Sequence, residues 1–313
     1  MAQLSAKIRA ASISILTATS LAILKLVAGV MTGSMAVLSS AIDSLLDILM
    51  SGVNFLAIRQ AEQPADENHP FGHGKYETLA TMIQSLVIAG SGIWIIAESI
   101  SRLRAGVTLT RIDSGIVVLL IGTIASVLIS RYLRRVAKAT DSSALQADSL
   151  HFAMDVYTNL GLMLGLILIR FVAIPWLDPV LSILIACYIL FEALRLVRQG
   201  LRDVLDEELP AVVRDEVDRL IQAHEHDITG YHNLRTRRAG SQKIMDFHLT
   251  VCKHLSVEEA HSIADHLEKR IEADIQGADV TIHIEPCRRE HCPGREDCPS
   301  DSTRLDEDDQ AAS

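Results

Sequence analysis

Six apolar runs, at about 11–31, 34–58, 78–101, 113–133, 148–172 and 177–197, alternate with short polar connections along the first two-thirds of the chain. Each is long enough to cross about 30 Å of hydrocarbon as a helix. The pattern changes at Glu207. Pro210 opens a predicted helix to about Glu225, with Val213, Val217, Leu220 and Ile221 at helical spacing. Residues 229–238 and 243–252 read as two strands joined around Ala239-Gly240-Ser241. In the second, Met245, Phe247, Leu249 and Val251 alternate with Ile244, Asp246, His248 and Thr250. Ser256, with Glu259 three residues on, predicts a capped helix. Residues 279–285 form a last strand, in which Val280, Ile282 and Ile284 alternate with Thr281, His283 and Glu285. The order αββαβ predicts a compact α/β domain with a ferredoxin-like sheet and helices on one face. Past Pro286 the chain turns Cys-, Pro- and acid-rich and ends in Asp306, Glu307, Asp308 and Asp309, the composition of a disordered tail. The expected division is a membrane domain of six transmembrane helices over 1–206, a soluble cytosolic domain over 207–290 and a tail over 291–313.

Composition supports that division. A chain that is 49% hydrophobic, with mean hydropathy +0.26, is too apolar for an ordinary soluble domain, yet 22% charged is too polar for one buried wholly in lipid. The net charge of −10 argues against a nucleic-acid partner. Cys252, Cys287, Cys292 and Cys298 lie in the polar third, where a reducing cytosol leaves thiols. The first apolar run is too long for a cleavable signal peptide. Lys7, Arg9, Arg59, Lys75, Arg131, Arg134, Arg135, Lys138, Arg195, Arg198 and Arg202 fall on one side of the alternating runs, against Arg102, Arg104, Arg111 and Arg170 on the other. Eleven against four places both termini in the cytosol.

Charges inside the apolar runs carry the chemistry. Asp43 and Asp47 sit four residues apart in the second run, stacked on one helix face. A carboxylate at mid-membrane costs about 2.5–3.5 kcal/mol, and such groups usually line a path or bind an ion. The bland alternative is a structural pair bonded to hydroxyls such as Ser39 and Ser40. His151 and Asp155 repeat the spacing in the fifth run. Packed together, the two helices offer three carboxylates and an imidazole, a set suited to tetrahedral Zn²⁺ and acceptable to Fe²⁺, Mn²⁺, Co²⁺ or Cd²⁺. Asp148, one turn earlier, is either an entrance residue or a solvated helix end. Between the second and third runs, Asp66, His69 and His73 supply a carboxylate and two imidazoles in a glycine-containing loop. In the soluble domain His248, His283 and Glu285 share strand-face parity, with His232 on the first strand and His261 on the second helix.

Paired DxxxD and HxxxD on the second and fifth of six spans, the His69-Pro70-Phe71-Gly72-His73-Gly74-Lys75 loop and the αββαβ domain resemble the cation diffusion facilitator family over about residues 8–287. The likeness is greatest to its bacterial zinc- and iron-efflux branch, homodimeric metal/proton antiporters of the inner membrane. The resemblance implies a secondary transporter rather than an enzyme, exporting Zn²⁺ first, with Fe²⁺, Cd²⁺ or Mn²⁺ as alternatives. It implies a transport site of Asp43, Asp47, His151 and Asp155, and a loop site of Asp66, His69 and His73. A binuclear cytosolic site at the dimer interface would use His232, His248, His261, His283 and Glu285, where the family usually has Asp at the last position. A Lys75–Asp206 charge pair would tie the third span to the soluble domain across the dimer. The segment with Cys287, His291, Cys292 and Cys298 lies beyond the resemblance, either an extra thiolate site or a loose tail.

Overall fold

The computed structural model describes residues 2–32, 35–105, 116–172, 176–223 and 228–288, which fall into two compact units, Met1–Arg202 and Asp203–Ser313. The acidic tail, with His291, Cys292 and Cys298, and Arg111 lie outside the described residues.

The first unit is helical: α1 (Ala2–Thr32), α2 (Met35–Ala61), α3 (Lys75–Ala105), α4 (Ile116–Thr140), α5 (Ser143–Val172) and α6 (Leu177–Val204). Most of these helices outrun their apolar stretches. At Ala2 and Lys75 the flanking Ala, Lys, Glu and Leu residues are good helix formers, and hydrophobicity marks the lipid boundary rather than the helix end. Among the described residues, three helices contain a stretch apolar and long enough to cross a membrane by length and composition: Ala6–Ala28, Lys75–Ser101 and Pro179–Val204. Large apolar side chains point outward, with Leu16 67%, Trp94 68% and Phe191 65% exposed. The buried stripe of α1 is instead Lys7, Ala11, Ser14, Ala18 and Ala22. Small and polar residues inside with apolar ones outside is the packing expected where the surrounding solvent is lipid. Helix α1 packs on α2 and α4, while α5 packs on α4, α3 and α2.

The second unit runs α7 (Ala211–Gln222), β1 (Ile228–Ala239), β2 (Gln242–Val251), α8 (Val257–Asp274) and β3 (Ala278–Pro286), the predicted order with strand ends moved by a residue or two. The sheet is mixed: β1 is antiparallel to β2, and β3 parallel to it. A parallel pair needs a crossover, which α8 supplies. Gly240, at φ 64°, turns the hairpin. The Ser256–Glu259 capping box forms as the spacing predicts, with the Glu259 N–H donating to Ser256 Oγ at 3.3 Å and the Ser256 N–H donating to Glu259 Oε2 at 2.9 Å. Tyr231, Met245, Phe247 and Leu249 meet Val217 and Ile221 of α7 and Leu267 and Ile271 of α8 in one core. Each such large side chain contributes about 1.5–3 kcal/mol of burial. Alternation then commits the opposite face of β2 to His248 and its neighbours.

Candidate metal centres

The membrane cluster is assembled by α2 and α5. Asp47, His151 and Asp155 each bring a ligand atom within 4.8 Å of the others, and His151 Nε2 lies 2.9 Å from Asp47 Oδ1. His151 Nδ1 is buried with no hydrogen-bond partner among the described residues. Asp43 stands one turn before Asp47 on α2, its side chain outside the described residues. An imidazole and two carboxylates converging inside an apolar helical unit form a mixed N/O donor set for a first-row divalent cation.

One turn away on α5, Asp148 is fully buried, which rules out a solvated helix end. Ser14 of α1 donates to its Oδ2 at 2.5 Å, and Ser51 of α2 and Gln84 of α3 reach its Oδ1 at 3.4 and 3.3 Å. Asn54 donates to Gln84 Oε1 at 2.5 Å, extending the network. Nearer the start of α5, Glu77 accepts the Ser142 hydroxyl and the Ala144 N–H, a carboxylate at a helix N-terminus. Lys7 bridges it to Glu62, at 3.6 and 2.5 Å. These partners belong to no motif; their one signal in the sequence is that Ser14, Ser51, Asn54 and Gln84 are polar within apolar runs. Lys25 of α1 likewise escapes a count of cations in the connections, and donates to Ser44 of α2 at 2.8 Å.

The loop before α3 also closes on itself. Asp66 Oδ1 accepts the backbone N–H groups of Asn68 and His69 at 2.9 and 2.7 Å and lies 3.2 Å from His69 Nδ1, while Oδ2 is 3.3 Å from His73 Nε2. The His69 N–H is the main cause holding the Asp66 carboxyl below its ordinary range. His73 Nδ1 lies 3.2 Å from the Pro64 carbonyl, the partner that fixes the tautomer of a ligating imidazole and leaves Nε2 facing the site. Gly72, at φ 76°, makes the turn. The three side chains satisfy metal-ligand proximity.

In the second unit the strand register sets His232, His248 and His283 side by side across β1, β2 and β3. Their ring centroids are 5.0 and 4.8 Å apart. Glu285 reaches back along β3, 3.0 Å from His248 Nδ1, 3.6 Å from His232 Nε2 and 3.8 Å from His283 Nε2. His248 Nδ1 is within ion-pair distance of that carboxylate but outside hydrogen-bond geometry, as a ligand lone pair would be. A bulge beside the row, with Asn233 at φ 53°, re-aims β1 and brings Asn233 Nδ2 within 3.3 Å of His248 Nε2. His232, His248 and Glu285 form the compact group, with His283 exposed at its edge. His261 stands apart, exposed on α8, because that helix packs on the apolar side of the sheet. Asp206 pairs with Arg237 at 3.5 Å, and Lys75 belongs to the other unit. Cys252 and Cys287 are buried free thiols.

Residues 11–205 match the family model described as the cation efflux transmembrane domain, and residues 209–287 match that of the cation efflux protein cytoplasmic domain. The chain belongs to the cation diffusion facilitator family. The cation-efflux pump FieF of Escherichia coli O127:H6 (strain E2348/69 / EPEC) is 35% identical over 284 residues, 89% of this chain and 92% of its own. FieF of Shewanella oneidensis MR-1 is 36% identical over 277 residues, 88% and 93% of the two chains. A solved structure of CzrB, described as a zinc transporter, is 35% identical over 25% of this chain and 98% of its own, with a TM-score of 0.25. As a member of this family, the protein has a helical membrane domain followed by a cytoplasmic α/β domain. The membrane cluster lies in the first, the histidine row in the second.

Proposed function

We propose that this cation diffusion facilitator exports divalent transition-metal cations from the cytoplasm in exchange for protons, by alternating access, with Zn²⁺ the favoured substrate and Fe²⁺ or Cd²⁺ as alternatives. The observation that carries the reading is the convergence of Asp47, His151 and Asp155 from two helices of the membrane domain. Asp43 completes the ligand set. The efflux named for the FieF relatives agrees with it.

Ligands bind metal only when deprotonated, so loading the site from the cytoplasm expels protons and reprotonation on the far side expels the ion. All six helices cross the inner membrane, with both termini cytoplasmic, and two copies form the working dimer. The loop group of Asp66, His69 and His73 takes a second ion. The row of His232, His248, His283 and Glu285, joined by His261 from a second copy, senses cytoplasmic metal, and Lys75 with Asp206 links the two units across the dimer. A bound ion at the row then favours one arrangement of the membrane halves by binding it more tightly.

The test is uptake of Zn²⁺, Fe²⁺, Cd²⁺ and Mn²⁺ into proteoliposomes under a pH gradient. Wild type should accumulate Zn²⁺ and move protons the other way, while Asp47→Ala and Asp155→Ala insert normally and transport nothing. Robust flux in either variant removes the assignment.

A further inference from the structure

Lys25 lies inside the Ala6–Ala28 stretch of α1, three residues past Ala22 on the buried stripe of that helix. A lysine near the end of a span ordinarily extends its stem to the headgroups and keeps its charge in water. This one turns across to α2 and donates to Ser44 Oγ at 2.8 Å, a hydroxyl only 1% exposed. Ser44 follows Asp43 directly and precedes Asp47 by three residues. Residues three apart, as Ser44 and Asp47 are, are neighbours on a helix surface, about 5–6 Å apart at Cβ. The pairs Lys7–Glu62, Ser14–Ser51 and Lys25–Ser44 show α1 and α2 running antiparallel, with Asp47 between the levels of Ser14 and Lys25. Along α2, Asp47 thus lies between Ser51, which joins the Asp148 network, and Ser44, which holds the Lys25 ammonium.

The charges then balance. Counted over the proposed ligands alone, with Asp148 set apart in its network of Ser14, Ser51 and Gln84, three ionised carboxylates, Asp43, Asp47 and Asp155, with one ammonium leave two negative charges, matched by a divalent ion beside a neutral His151. We propose that Lys25 is a specificity-determining counter-charge of the transport site: tethered by Ser44, it sets the loaded site to neutrality for a divalent cation and keeps that cation releasable. This inference rests on the reading of the membrane cluster as the transport site. Without the ammonium, a loaded site retains one negative charge in a weakly screened interior, which strengthens cation binding and slows release.

The experiment is equilibrium titration of the full-length protein with Zn²⁺, paired with Zn²⁺ flux in proteoliposomes, for wild type, Asp47→Ala, Lys25→Met, Lys25→Gln and Lys25→Arg. Asp47→Ala identifies the membrane-site binding phase by deleting it. Lys25→Met and Lys25→Gln should tighten that phase about tenfold or more and lower both KM and kcat, while Lys25→Arg, which keeps the charge, stays within about threefold of wild type. Lys25→Gln retains an amide donor toward Ser44 and carries the test if Lys25→Met does not fold. Unchanged affinity and flux in the neutral variant overturn the inference, as does Lys25→Arg behaving like Lys25→Met, which makes the residue a packing element. If Asp47→Ala keeps every binding phase, the transport-site reading falls and this inference falls with it. If Asp47→Ala deletes a phase that the neutral variants leave untouched, only the role of Lys25 falls.

Discussion

Replacing His248 with alanine separates metal response from folding in the cytoplasmic unit. His248 is the middle of its row, with histidine rings 5.0 and 4.8 Å to either side and Glu285 3.0 Å from its Nδ1. Its side chain is 26% exposed and faces away from the core that Phe247 and Leu249 fill. No core contact leaves with it, so the metal-free cost is about 0.5–1.5 kcal/mol, the worth of its polar contacts. A metal present at about 100 times its Kd stabilises the folded state by about 2.7 kcal/mol. In a unit of this size that raises Tm by about 10–20 °C. Calorimetry of a fragment spanning about 203–288, with and without Zn²⁺, should show that rise in wild type and lose most of it in His248→Ala, while the two metal-free transitions stay close. A His248→Ala fragment that keeps the full rise, or a wild-type fragment that shows none, refutes the assignment of the row as a metal site.

Three further expectations follow from geometry. His151→Asp makes the membrane shell all-oxygen, which should raise Mn²⁺ or Fe²⁺ transport relative to Zn²⁺; an unchanged metal profile in vesicles places selectivity elsewhere. The Asp66 carboxyl is depressed below its ordinary 3.8, first by the His69 backbone N–H, so the loop stability it contributes is present above that value and lost as pH falls through the lowered one. An NMR titration should find its midpoint under 3.8, and a midpoint at or above it contradicts the loop geometry. Gly277 has φ +73° and an added Cβ would meet the Ser241 carbonyl at 2.7 Å, while its own carbonyl holds the Lys243 N–H at 2.7 Å. Gly277→Ala should therefore cost the cytoplasmic unit about 1–3 kcal/mol in denaturant unfolding, and a change under about 0.5 kcal/mol shows that the turn relaxes.

The cytoplasmic fold was legible because each of its signals is local. Alternation gave β2 and β3, Ser256 and Glu259 gave the start of α8, and Pro210 gave that of α7. Sheet parity also placed His248, His283 and Glu285 on one face, but not the adjacency of His232, which depends on hairpin register and on the bulge at Asn233. In the membrane unit, the four-residue spacings in α2 and α5 announced Asp47, His151 and Asp155. The surroundings of Asp148 could not be read the same way. Its partners Ser14, Ser51 and Gln84 come from three other helices, and single polar residues in apolar runs carry no record of which helix they face. Lys25 was hidden for a related reason: charge counting across loops treats an intrahelical lysine as noise.

Helix α5 holds the Glu77 contacts at its start, then Asp148, then His151 and Asp155, all on one rod. Neither Gly nor Pro interrupts residues 142–155; Gly161 and Gly165 come only beyond Asp155. With a rise of about 1.5 Å per residue, such a rod transmits axial displacement rather than absorbing it. Any slide or rotation that draws Asp148 away from Ser14, Ser51 and Gln84 shifts His151 and Asp155 against Asp47 by a similar amount. The Asp148 network and the cluster of Asp47, His151 and Asp155 thus share a single mechanical degree of freedom, like two teeth on one rack. Loosening the Asp148 network and rearranging the side chains of Asp47, His151 and Asp155 are therefore one motion, and no separate signal has to synchronise them.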